Sequence, residues 1–166
     1  MREELQQKLY DDYPKIFANS KLPYNKSILS WYGIECEDGW YQLIHNMCWY
    51  IQHTIDIKNI QQVVATQIKE KFGYLSFYHV GGNNITEVMI SQNEQMSFYI
   101  CEYCGTTLNV GHTNEWIKTI CKECYDKSKN KMEWEPIKTH YGTKIDMNTE
   151  LARDKSDYIK IIKEGE

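Results

Sequence analysis

Two Cys-x-x-Cys pairs constrain this chain more than any other feature. Cys101 and Cys104 form the first, and Cys121 and Cys124 form the second, with sixteen residues between them. Each pair aims two thiolates at one point, and two such pairs close a tetrahedron around a cation. The spacing matches a four-cysteine zinc site. The intervening residues fold back as a short hairpin in a zinc-ribbon or treble-clef-like arrangement. Gly105, Val110 and Gly111 are the candidate turns, and Trp116–Ile120 is a β-prone run. A closed set of four thiolates leaves no open position for substrate, so the expected role of Zn²⁺ is structural. Two disulfides are the competing reading, and an iron–sulfur cluster is a remoter one. His112 lies between the pairs and reads as a loop residue.

The remaining positions must supply the rest of the fold, and the chain of 166 residues is long enough to bury a real core. Hydrophobic residues make up 42% and charged residues 25%, which excludes wholesale disorder. Leu5, Leu9, Tyr13 and Phe17 recur at every fourth position, giving a helix over 3–17 that ends or kinks near Tyr13 because of Pro14. Residues 18–38 read as loop. The strongest helix spans 40–57. Trp40, Leu43, Ile44, Met47, Cys48, Ile51 and Ile55 share one face, and Asp38 is the expected N-cap. Residues 63–80 read as a β-hairpin with Val64, Thr66 and Ile68, then Leu75 and Phe77, facing inward. Asn84 with Glu87 suggests a capping box opening a helix to residue 98, with Ile85, Val88, Met89 and Met96 as its buried stripe.

The expected fold class is therefore α+β. Helices pack on a small antiparallel hairpin or sheet in a body over 1–98. A zinc-ribbon-like four-cysteine module follows over 99–125, and a polar C-terminal tail over 126–166. That tail has apolar insertions at Trp134–Ile137 and Tyr158–Ile162, which suggest a docked strand or short helix. Cys36 and Cys48 lack ligand spacing and read as buried thiols. His45 with Cys48 reads as core packing.

Charge and targeting narrow the function. The formal net charge is −4, and residues 1–125 hold 10 basic against 14 acidic side chains. Duplex DNA is thereby disfavoured, although a local phosphate site is still compatible. No apolar signal segment or membrane span is evident, so the expected location is cytoplasmic. No GxSxG, P-loop, GxGxxG or HExxH motif occurs, and the chain reads as a non-enzyme.

The hairpin supplies a candidate recognition surface. Period-2 geometry puts Lys69 and Lys71 beside Tyr74 and Tyr78 on the face away from the core. Ammonium groups next to rings suit a phosphate and a base. Trp31 and Trp40 flank Cys36-Glu-Asp-Gly39 and form a second aromatic concentration.

Four segments together carry a resemblance: YPKIF (13–17), W-x-G-x-E-C-x-D-G-W-Y (31–41), VVATQIKEKFGYLSFY (63–78) and the CEYCG…CKEC module. The chain resembles, over 8–125, a group of small proteins encoded by tailed phages and prophages. The resemblance implies a phage source, hence host-cell cytoplasm. It is also similar to phage anti-defence sponges of the anti-CBASS type. That similarity implies a homo-oligomer sequestering a cyclic dinucleotide or trinucleotide. The alternative expectation is a zinc-ribbon module that binds nucleic acid or a host protein.

Overall fold

The structure is a computed structural model, and it describes residues 1–129 and 132–137. The element order is α1 (Glu3–Asp12), α2 (Ile28–Tyr32), β1 (Ile34–Glu35), α3 (Tyr41–Lys58), β2 (Val64–Lys71), β3 (Tyr74–Val80) and α4 (Asn84–Ser97). The cysteine module follows with β4 (Val110–Thr113), β5 (Thr119–Cys121), α5 (Lys122–Lys127) and β6 (Trp134–Pro136). The α+β expectation holds. Among the described residues, no helix is long and apolar enough to cross a membrane.

The first sheet has the order β1-β2-β3. β2 and β3 form the expected antiparallel hairpin, with Ile68 opposite Phe77 and Lys71 opposite Tyr74. β1 adds a parallel edge strand, with Ile34 opposite Ile68. It lies where the sequence suggested only loop. That loop also holds α2 and 3₁₀ turns at Ala18–Lys21, Tyr24–Lys26 and Asp38–Trp40.

α3 shares a core with this sheet, and its entire expected stripe is buried, from Trp40 through Ile55. The helix needs no Asp38 cap: Trp40 occupies the N-cap position without a side-chain bond. Asp38 instead accepts bonds from the backbone N–H and the guanidinium of Arg2. α1 ends at Asp12, as Pro14 requires.

Two inward faces differ from their expected composition. In β2 a bulge between Ala65 and Gln67 resets the alternation. Ala65 and Ile68 are buried, and Val64 and Thr66 are only half-buried. In α4 the capping box is Asn83 with Thr86, one residue earlier than expected. The buried positions are Thr86, Ile90 and Ser97, whereas Ile85, Val88 and Met96 are exposed. The reason is hydrogen bonding. β3 is an edge strand, and α4 covers its free N–H groups with polar side chains. Leu75 N–H donates to Ser97 Oγ at 2.8 Å, and Phe77 N–H donates to Glu94 Oε1 at 2.7 Å.

The second sheet has the order β5-β4-β6. β4 and β5 make the expected hairpin, with Val110 and Gly111 inside β4 rather than in a turn. Trp134–Pro136 docks as β6, so ordered structure continues past residue 125. The Tyr158–Ile162 insertion lies outside the described residues.

Candidate metal centre and the seam around it

Cys101 and Cys104 sit in a loop just after α4. Cys101 N–H donates to Thr106 O, and Gly105 N–H donates back to Cys101 O, both at 2.8 Å. Gly105 takes a φ of +77°, which a glycine adopts without strain. The second pair is borne differently. Cys121 ends β5 and caps α5, with its sulfur accepting the N–H of Cys124 at 3.4 Å. A loop knuckle, a hairpin and a ligand-bearing helix form a treble-clef-like arrangement.

The four sulfurs lie within 4.8 Å of one another. Cys104 and Cys121 are 3.7 Å apart. A disulfide would need about 2.05 Å, and all six cysteines are free thiols. A tetrahedron with metal–sulfur bonds near 2.3 Å has edges of about 3.8 Å. The cluster is thus dimensioned for a single ion. Burial pushes the Cys101 thiol above its usual range, and Cys124 shifts the same way. Four thiolates this close are mutually repulsive unless a cation sits among them.

His112 is not part of the cluster. It lies in β4 and stacks on Phe98 at 3.8 Å. Cys36 and Cys48 are buried in the body core, and burial pushes both thiols far up. His45 contacts Tyr13 and lies 3.5 Å from an Asp12 carboxylate oxygen, away from the cysteine cluster.

Around the cluster runs a polar seam that joins it to the body. Glu102, between the first two cysteines, is only 1% exposed. One of its oxygens accepts the N–H of Glu37 at 3.1 Å, and the other lies 3.4 Å from Lys118 Nζ. Lys118 also reaches Glu70 at 2.8 Å. The other Glu70 oxygen accepts Gly73 N–H at 2.8 Å in the hairpin turn. Thr119 Oγ1 donates to Gly73 O at 2.6 Å. Burial raises the Glu102 carboxyl despite Lys118 beside it. Burial opposes the charge on Lys118, but the bond to Glu70 and the Glu102 charge outweigh it and raise its pKa.

Shape reinforces the seam. A Cβ on Gly39 would meet the carbonyls of Cys101 and Glu102 at 2.3 and 2.5 Å. Trp40 Nε1 donates to Ile100 O at 2.9 Å. Tyr74, Phe98 and His112 form a column of stacked rings from the hairpin to β4.

The candidate recognition residues therefore separate. Trp40 is fully buried and its N–H is engaged, so it is a core residue rather than a ligand contact. Tyr74 is occupied by Phe98. Lys69 and Tyr78 do come together, with the ammonium 5.6 Å from the ring centre. Lys71 lies over Phe72 instead. Trp31 packs with Tyr24 and Tyr32 in a different hollow. Sequence reasoning missed Glu70, Glu102, Lys118 and Thr119. Their one visible signal was opposite charges next to the cysteines and the hairpin turn.

A cleft of about 470 Å³ opens beside the seam, lined by Glu70, Lys71, Phe72, Glu115, Trp116 and Ile117. Phe72 is 69% exposed and Trp116 66%. Phe72 has a φ of +52°, an uncommon conformation for an aromatic residue. Comparison with protein-family models, curated proteins and solved structures finds no significant match for this chain.

Proposed function

We propose that this chain is a non-catalytic, zinc-stabilised interaction protein whose cleft beside the hairpin turn receives a segment of a host protein. The cleft carries the reading. Phe72, Trp116 and Ile117 present apolar surface at a junction of two packed units, where buried aromatic anchors dominate binding energy. The tip is held rigid from beneath by Glu70 and Thr119. The resemblance to phage proteins makes a bacterial host protein the natural partner.

Zn²⁺ is the proposed ion, supported by the all-thiolate set and its tetrahedral dimensions. A four-iron cluster, several atoms across, would hold its thiolates further apart. Atomic absorption on protein in reducing buffer should find one zinc per chain. For the partner, zinc-loaded chain is immobilised and challenged with bacterial lysate. A discrete protein should be retained, and Trp116→Ala should reduce its retention at least tenfold at unchanged zinc content. Equal retention by the variant would refute the cleft reading.

A second reading is favoured by the Lys69–Tyr78 pair. A cyclic dinucleotide or trinucleotide could set a phosphate on Lys69 and a base on Tyr78, with copies of the chain completing the site. Thermal shift with such ligands, and its loss in Lys69→Ala, tests this; no stabilisation by any of them retires it.

A further inference from the structure

We infer that the segment Lys21–Tyr32 is a stacking platform for single-stranded nucleic acid, a site separate from the cleft and independent of it. Its first support is electrostatic. Residues 13–34 carry three lysines and no carboxylate, in a chain whose net charge is −4. Lys15 is taken by Asp56. Lys21 and Lys26 make no ion pair among the described residues, so both ammonium groups are available to phosphates.

The second support is the rings between them. Tyr24, Trp31 and Tyr32 are 70%, 61% and 62% exposed. Trp31 meets Tyr24 edge-on at 5.9 Å and Tyr32 at a 55° tilt. No two of these rings stack face to face, and each is more than half exposed, which leaves aromatic surface for a base. Base–aromatic stacking tolerates any sequence because every base has a π-face.

The third support is shape. Tyr24, Asn25, Lys26, Ile28, Trp31 and Tyr32 line a hollow of about 360 Å³. The hollow is shallow and open, and it sets the ammonium of Lys26 beside exposed rings, as a base with its phosphate would need. The segment is also preorganised. Ser27 caps α2, Ser30 Oγ donates to Pro23 O and Ser27 O, and Asn19 anchors the first turn to Ala65 O at 2.9 Å. Binding therefore orders little chain.

The test is fluorescence anisotropy of a labelled dT12 oligonucleotide with the full-length, zinc-loaded protein. Saturable binding is expected. With two phosphates neutralised, affinity should fall about sevenfold between 50 and 200 mM salt. Trp31→Ala should weaken binding at least about fivefold through lost stacking, and Lys21→Glu with Lys26→Glu should abolish it. All three side chains are exposed, so zinc content and circular dichroism should stay at wild-type values. The inference is overturned if dT12 does not bind at low salt, or if the double lysine variant binds as wild type does. It is also overturned if the same variants lose binding only to vesicles of mixed phosphatidylglycerol and phosphatidylcholine, which would make the segment a membrane contact.

Discussion

The body and the cysteine module reach stability by different means. The body buries twenty residues in one cluster, running from Leu9 to Ile90. The module's apolar cluster holds four among the described residues, and two of those are Cys101 and Cys121. Apolar burial of about 1.5–3 kcal/mol per large side chain can carry the body. The same term cannot carry a three-stranded sheet over a core that small, and below about 40 residues a metal usually substitutes for it. The contrast teaches where each unit is vulnerable. The body should respond to cavities, the module to loss of its ion, and the seam between them to changes in charge.

The largest expected effect is on the module. Structural zinc sites contribute about 10–16 kcal/mol of folding energy. Cys101→Ser, or chelation of wild type, should release the ion and abolish the near-ultraviolet dichroism of Trp116 and Trp134. The helical far-ultraviolet signal of α1, α3 and α4 should largely persist. If the helices melt together with the module, the two regions are one cooperative unit and the contrast fails.

Next comes the body. Ile51 is fully buried on α3, so Ile51→Ala should cost about 2–5 kcal/mol in urea denaturation. Zinc content should not change. A variant that lost zinc as well would show that the body core holds the module in place.

The seam ranks third. Lys118→Met leaves Glu102 and Glu70 facing each other without their shared cation. Removing one partner of a buried pair costs about 3–5 kcal/mol, and the 21% exposure of the Lys118 side chain puts this case at the lower end. Hydrogen exchange should accelerate at the Phe72–Gly73 turn and at Thr119, at retained zinc. Unchanged exchange would mean the column of Tyr74, Phe98 and His112 suffices to dock the two units.

The smallest effect is pH-dependent. The bonds from Arg2 outweigh burial and hold the Asp38 carboxyl below its usual value. A depressed folded-state pKa gives stability that is present above the unfolded value near 3.9 and lost as pH falls through the folded one. Because the pair is solvent-exposed, Asp38→Asn should remove at most about 1 kcal/mol at pH 7. The mutant and wild type should converge as pH falls through the depressed folded-state value, once the carboxyl is protonated in both states. A gap that widened on acidification would reverse the sign and refute the assignment.

Legibility followed the range of the forces involved. α3 was readable because its buried stripe depends on a 3.6-residue period, a property of the helix itself. The cysteine cluster was readable because the two cysteines of each pair stand three positions apart in sequence. The stripe on α4 was misread because apolar side chains are a poor guide where a helix covers a strand edge. There Thr86, Glu94 and Ser97 turn inward to meet backbone N–H groups and polar neighbours. The inward face of β2 differs because a bulge between Ala65 and Gln67 breaks the alternation, with Val63 and Ala65 inward before it and Ile68 inward after it. The KEKFG run was distinctive in sequence, but its meaning was not readable there. Lys69 kept an outward ring contact, whereas Glu70 and Gly73 joined the seam.

What the sequence determined by itself is what short spacing encodes: the four-cysteine cluster, the main helix, the hairpin and the α+β class. Only the tertiary structure decided which rings stay in water. Trp31 and Trp40 are close neighbours in the chain, yet one is mostly exposed and the other wholly enclosed. It also decided that Glu102 and Glu70, far apart in sequence, share a lysine. Exposure and charge pairing are set by what packs from elsewhere, and no local pattern carries that information.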